Sequence, residues 1–175
     1  MRTLQFKKVT QDVEDHHFDC GVQSINEYVK FSYWPFIIQH AYAYSITYGD
    51  KVLGYYQLLF RDIELEKLPP DIADYDFDEH YRKVTAVHIR YIAIDKAYQG
   101  HKIGTNVMKA IINDCRELAK DWPIRVITLD ANVDLVDWYS GFDFQVMPYN
   151  TPGQDGITTA MCLDCMMHSE ELAQY

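Results

Sequence analysis

The stretch Gln99-Gly100-His101-Lys102-Ile103-Gly104-Thr105 decides the reading of this chain. It follows an apolar run, Val84 to Ile94, with the composition of a central strand, and it opens a helical pattern from Ile103 to Ala119. A glycine-bearing turn between a strand and a helix start leaves several backbone N–H groups with no acceptor inside the helix. Those donors and the positive end of the helix dipole together make a site for phosphate oxygens. The stretch therefore predicts a phosphate-bearing cofactor. It is neither the G-x-G-x-x-G of a dinucleotide fold, which would stand near the N-terminus, nor the G-x-x-x-x-G-K-[ST] of a P-loop.

Working outward, Thr3 to Val9 alternates as a first strand. A helix follows with Ile25, Tyr28 and Val29 on one face, Ser24 as its cap and Pro35 as its end. Ala41 to Tyr48 and Val52 to Phe60 read as aromatic-rich strands, with Gly49-Asp50 as a tight hairpin between them. Trp34, Tyr42 and Tyr44 read as core aromatics, with the acceptor side as the alternative. The segment from Arg61 to Lys83 carries Asp62, Glu64, Glu66, Asp71, Asp74, Asp76, Asp78, Glu79 and Pro69-Pro70. It reads as a long acidic loop with at most a short helix, either a solvated surface or a lid that draws a cation.

Beyond the glycine turn, Arg125 to Leu129 is a strand, Asn132 to Tyr139 a short helix, and Phe144 to Met147 and Thr158 to Met167 two last strands. Tyr149 to Gly156 is the loop between those two. The order predicts a mixed α/β (α+β) domain over residues 1–168 with a tail at 169–175.

With 175 residues the chain has enough length for one real core. The net charge of -10 speaks against sequence-blind binding to nucleic acid and for cationic or amine substrates. No run is long or apolar enough to span a membrane, and the N-terminus lacks a signal-peptide core, so the expected location is cytoplasmic. Four cysteines fit that compartment. Cys162 and Cys165 are three apart on a strand and point to opposite faces, so no metal site is expected there.

Two stretches now carry a resemblance. Ile92-Ala93-Ile94 followed by Gln99-x-x-Lys102-x-Gly104 resembles the acetyl-CoA motif of the GNAT N-acetyltransferases, Q/R-x-x-G-x-G/A after an apolar strand end. Asn132-Val133-Asp134-Leu135-Val136-Asp137-Trp138-Tyr139 resembles the family's N-x-x-A-x-x-(F/W)-Y, and Tyr139 to Phe144 its Y-x-x-x-G-F ending. Three positions depart from the pattern: Leu135 for alanine, and Lys102 and Asp143 for glycine. Lys102 implies an ordinary helix-like backbone rather than a left-handed one. Asp143 implies an altered turn into the last strands.

The resemblance implies a GNAT-like mixed central sheet of about six to seven strands flanked by helices in a single domain. It implies an enzyme that moves an acetyl group from acetyl-CoA, with no metal, to a primary amine of a small molecule or peptide. The backbone of Ile92, Ala93 and Ile94 would meet the pantetheine arm and polarise the thioester carbonyl. The turn of Gln99, Gly100, His101, Lys102, Ile103, Gly104 and Thr105 would hold the pyrophosphate. Asn132 would bond the pantetheine amide, a role compatible with a helix N-cap.

Tyr139 would protonate the leaving thiolate as general acid. His88, on the strand leading to the turn and sharing a strand face with Arg90, would be the base, with Glu64, Asp62 or water as alternatives. A homodimer is the expected assembly.

Phe18-Asp19-Cys20-Gly21-x-x-x-Ile25-Asn26-x-Tyr28 and Gly54-Tyr55-Tyr56-x-Leu58 also resemble the GNAT toxins of toxin–antitoxin pairs, which acetylate aminoacyl-tRNA. That is the alternative activity and the one route to a nucleic-acid partner. A non-catalytic acyl-CoA-binding module is the third reading.

Overall fold

The structure is a computed structural model and describes residues 3–13, 17–73, 82–148 and 158–166. Asp74, Asp76, Asp78 and Glu79 of the acidic segment, the loop 149–156, Met167 and the tail 169–175 lie outside the described residues.

Seven strands form one mixed sheet in the order β1-β2-β3-β4-β5-β7-β6. They are β1 (Leu4–Lys8), β2 (Tyr42–Tyr48), β3 (Lys51–Glu64), β4 (Lys83–Ile94), β5 (Ile124–Asn132), β6 (Gln145–Val146) and β7 (Thr158–Asp164). The helices are α1 (Gln23–Lys30), α2 (Tyr33–Ile37), α3 (Pro70–Ala73), α4 (Ile103–Ala119) and α5 (Val136–Ser140). β4 and β5 are neighbours joined through α4, the helical crossover that parallel strands need. The pairings β1–β2, β2–β3, β5–β7 and β6–β7 are antiparallel.

The contacts divide the chain into two compact units, one of residues 1–60 and 89–110, the other of 61–88 and 111–175. The core of the first gathers Val9, Val29, Ala43, Tyr55, Tyr91 and Ala93, with Phe18 and Ile25 packed against them. Its hairpin turns at Gly49-Asp50, where Gly49 holds φ 62°, the left-handed geometry of a two-residue hairpin loop. The core of the second gathers Ile63, Leu68, Ile72, Ala86, Val126, Met147 and Cys162. There the buried Arg125 binds Asp164 through Nη1 and donates from Nη2 to the Ile72 carbonyl at 2.8 Å. One buried guanidinium thus ties β5 to β7 and to α3.

Several expectations change. Ser24 does not cap α1; Val22 stands at the N-cap with no side-chain bond. The polar side chains nearby, Asp19 and Asn26, are occupied by the preceding loop instead. Pro35 does not end that helix. α1 stops at Lys30, and Pro35 sits in the first turn of α2, where its missing N–H is not needed. Trp34 is exposed rather than core, while Tyr42 and Tyr44 are half-buried.

The acidic segment is not one loop. β3 runs on to Glu64, a 3₁₀ turn spans Leu65–Lys67, and α3 follows, because Ile63, Leu68 and Ile72 alternate with the acids and are buried. Asn132 ends β5 rather than opening a continuous helix, and a 3₁₀ turn at Val133–Leu135 precedes α5. β6 is shorter than expected, with the buried Phe144 just before it.

Candidate active site

In the first unit the strand–turn–helix stretch is as expected: β4 ends at Ile94, α4 starts at Ile103. The turn is held by side chains that face inward on it. Asp95 caps a 3₁₀ turn at Lys96–Tyr98 by accepting from the Ala97 N–H at 2.9 Å. Gln99 Nε2 donates to the Ile94 and Cys20 carbonyls, both at 2.9 Å. The Gln99 side chain therefore braces the turn, leaving only its backbone for a ligand. His101 Nδ1 faces the Gln99 carbonyl at 2.8 Å, so that nitrogen carries the proton and donates.

Gly100 holds φ +78°, and a Cβ there would meet nothing within 4 Å, so backbone conformation alone asks for glycine. Lys102 holds φ 59°. The helix-like backbone expected at Lys102 is overturned: the position keeps the left-handed geometry that glycine favours, and lysine bears the strain. From there the Lys102 carbonyl accepts from the Asn106 N–H at 3.1 Å, and α4 begins with its first N–H groups free of intrahelical acceptors.

The Phe18-to-Gly21 segment belongs to the same assembly. Asp19 receives Lys96 Nζ at 2.8 Å, the Gly21 N–H at 2.8 Å and Asn26 Nδ2 at 2.9 Å. The Lys96 N–H donates back to the Asp19 carbonyl at 2.9 Å. Asp95 Oδ2 accepts from the Asp19 N–H at 3.1 Å. These bonds, the Lys96 bond foremost, hold the Asp19 carboxyl down to about 2. In the sequence the two motifs stand far apart, and nothing there joins Asp19, Asn26, Asp95 and Lys96 into one network. The signal was present only as polar residues beside glycines.

Behind the strand end, a Cβ on Gly54 would lie 2.2 Å from the Ala93 carbonyl oxygen. Only glycine lets β3 approach β4 at this point, beside Ile92, Ala93 and Ile94.

In the second unit, His88 is buried on β4. Its Nδ1 lies 3.1 Å from Thr128 Oγ1 and its Nε2 3.8 Å from Asp130 Oδ2. Thr128 and Asp130 alternate on β5, so both ring nitrogens meet one strand, and Asp130 is about half exposed. Burial lowers the Arg61 guanidinium from its ordinary value, and the charge of Asp130 opposes that shift. Arg61, Thr128 and Asp130 were not singled out from sequence.

Asn132 Oδ1 accepts from the Asp134 N–H at 3.1 Å and caps the 3₁₀ turn. Tyr139 lies on α5 with its ring edge-on to Trp138 and Phe144, at 4.7 and 6.0 Å between centroids. Burial pushes its phenol up to about 12, so it stays protonated across the physiological range. Asp143 holds φ 69° and its N–H donates to the Ser140 carbonyl at 3.0 Å. The turn therefore keeps glycine's geometry, and the expected alteration does not occur.

Glu64 pairs with Lys67 at 3.0 Å, which holds its carboxyl below the ordinary value. The four cysteines are free thiols, and burial raises Cys162 to about 12 and Cys165 to about 11. Among the described residues no group of three or more His, Cys, Asp or Glu side chains could hold a metal ion, and no helix is long and apolar enough to cross a membrane.

The model of the acetyltransferase (GNAT) family matches residues 9–144. No curated protein matches the sequence. Among solved structures, a crystal structure of a bacterial toxin is similar with a TM-score of 0.79 at 14% identity, covering 100% of this chain and 98% of that one. AtaT complexed with acetyl-methionyl-tRNAfMet gives 0.77 at 20% identity, covering 99% and 100%. AtaTR bound with AcCoA gives 0.74 at 21%, covering 98% of each. At such identities the likeness is one of fold. The family match takes in β4, the bracing network around its end, the turn and α5, and the chain belongs to the GNAT family of acetyltransferases, which use acetyl-CoA.

Proposed function

We propose that this chain transfers the acetyl group of acetyl-CoA to a primary amine. The observation that carries the reading is the braced turn before α4, with Gly100 and Lys102 both left-handed and the first N–H groups of the helix left without intrahelical acceptors. The backbone from Gln99 to Thr105 holds the pyrophosphate, the Ile92–Ile94 backbone the pantetheine arm, and Asn132 its amide. Tyr139 donates its proton to the departing thiolate. His88 receives the proton of the amine, with Thr128 and Asp130 fixing its ring and the half-exposed Asp130 as the solvent end of the path. When bound, acetyl-CoA supplies the activated acetyl group; the protein supplies orientation and proton handling.

Two acceptor classes stand. An acidic surface at Asp62, Glu64, Glu66 and Asp71 suits a cationic small molecule or peptide. The second class is the amine of an aminoacyl-tRNA, and a specific observation favours it. The charge of -10 is unevenly divided: residues 1–60 with 89–110 carry nine Lys and Arg against seven Asp and Glu, whereas the other unit carries seven against nineteen. The unit with the phosphate turn is thus mildly basic.

Transfer of labelled acetyl to charged tRNA, run beside polyamines, aminoglycosides and lysine peptides, separates the two. Tyr139→Phe is expected to lower kcat by about 10²-fold or more with acetyl-CoA affinity kept. Full turnover in both Tyr139→Phe and His88→Ala would sink the assignments.

A further inference from the structure

Strand alternation places an arginine beside the candidate base. Ile63 of β3, Ala86 of β4 and Val126 of β5 pack into one buried cluster with Ile72 of α3. The Leu53 carbonyl takes the Asp95 N–H and the Arg82 carbonyl takes the Leu65 N–H, both at 2.9 Å, so β3 and β4 run antiparallel. Residues two along a strand share a face. One step from Ile63, Ala86 and Val126 on that face stand Arg61, His88 and Thr128. The 3.1 Å contact between His88 Nδ1 and Thr128 Oγ1 follows this step, and Asp130 is the next one on β5.

Arg61 is half-buried, and its Nε is buried with no hydrogen-bond partner among the described residues. Arginine keeps its charge even where burial opposes it. A buried donor left unmet costs stability, so hydrogen bonding at Nε does not account for an arginine here. Its charge and that of Asp130 act on one another, with β4 and His88 between their strands. The neighbouring charged groups are engaged elsewhere or exposed. Arg90, next on that face of β4, lies over the Tyr28 ring at 4.5 Å. Asp71 of α3 accepts from Gln145 Nε2 at 2.9 Å, and Glu64 pairs with Lys67. Asp62 is exposed and alternates to the other face of β3. On α5, Asp137 is exposed and the Tyr139 phenol is neutral. Among the described residues, Arg61 and Asp130 are thus the charges that share the His88 face on the two adjoining strands.

A base must be neutral when the proton arrives and must release it afterwards. Asp130, 3.8 Å from Nε2, favours the imidazolium and by itself would hold the ring charged. A guanidinium on the same face favours the neutral ring. We propose that Arg61 is a positioning residue of the transfer: its fixed charge offsets that of Asp130, so that His88 stands neutral to take the amine proton and then passes it by way of Asp130 to water. The inference rests on the reading of His88 as base given above and adds the group that sets its charge.

The test is an NMR titration of the His88 ring in the full chain with acetyl-CoA present, its signal assigned by loss in His88→Gln. In Arg61→Gln the midpoint is expected to rise by about one pH unit. In Arg61→Lys, which restores the charge, it is expected to stay within about 0.3 unit of the wild type, and in Asp130→Asn to fall. Arg61→Met takes the place of Arg61→Gln if the latter does not fold. An arginine that served packing alone would not give these signs or the rescue by lysine. An unchanged or lowered midpoint in the neutral variant overturns the proposal, and so does an equal rise in Arg61→Lys. The kinetic arm is label transfer from acetyl-CoA to charged tRNA, spermine and a lysine peptide in parallel. For whichever takes label, the acid limb of kcat/KM is expected to move up with the midpoint, with KM for acetyl-CoA unchanged. A midpoint that moves while the limb stays overturns His88 as base, and the proposal with it. Failure of the wild type to bind acetyl-CoA overturns the acetyltransferase reading instead, and the midpoints still decide whether Arg61 sets the charge of His88.

Discussion

Lys102 and Asp143 stand where the family pattern carries glycine, and both keep glycine's backbone, at φ 59° and 69°. A side chain in that region costs about 1–2 kcal/mol, less for aspartate than for lysine. Lys102→Gly is expected to raise stability by about 0.5–1 kcal/mol, since the relief of strain exceeds the added freedom of the unfolded chain. The same change is expected to weaken acetyl-CoA binding several-fold, because it removes an ammonium from the turn proposed to hold the pyrophosphate. Opposite signs in thermal unfolding and in acetyl-CoA titration are the signature; a loss of stability would contradict the left-handed assignment. The sequence showed the substitution, but its consequence was misread. A helix-forming lysine looked like ordinary backbone, whereas the strand end and α4 on either side fix the turn's path.

At the scale of elements, the β4–α4 turn depends on the neighbours that hold it. Gly54→Ala would press a Cβ against the Ala93 backbone oxygen, and backbone cannot yield as a side-chain tip does. The expected cost is about 1–3 kcal/mol, with acetyl-CoA affinity reduced as well; denaturant melts and titration of the same variant check both. On the other flank, Asp19 ties the Phe18–Gly21 segment to Lys96. Its carboxyl falls from 3.8 to about 2 in the folded chain. A lowered value means that the contribution is complete above the unfolded value, near 4, and is lost as pH falls through 2. The stability difference between the wild type and Asp19→Asn is therefore expected to be constant above about pH 5 and to shrink toward pH 2. A difference that grows on acidification would refute the pairing.

For the whole molecule, charge and burial are distributed by unit. The acids concentrate in residues 61–88 and 111–175, and that unit also buries a guanidinium, Arg125, against Asp164 and the Ile72 carbonyl. Asp164 remains about a third exposed, so water partly screens the pair. Arg125→Met is expected to destabilise the chain by about 2–3 kcal/mol, mostly by leaving a buried carbonyl and a carboxylate without their donor. Chemical denaturation checks the loss. An unchanged midpoint would show that the pair only breaks even against a packed methionine.

Sequence by itself determined the order of the seven strands, the strand–turn–helix at Val84 to Ala119 and the family, because periodicity, glycine position and motif spacing are local properties of the chain. It also offered Tyr139 as a candidate, singled out among fourteen tyrosines by its place in the motif. Tertiary structure alone decided that Asp19, Asn26, Lys96 and Gln99 form one brace, and that His88 meets Thr128 and Asp130. It alone brought Tyr28, Phe31, Trp34, Gln57 and Arg90 around one cleft. Directly bonded partners among them are as much as 77 positions apart, as Asp19 and Lys96 are, and no local pattern encodes which strands and loops will lie side by side. That follows only when the apolar faces are buried together and the polar groups left between them must find partners.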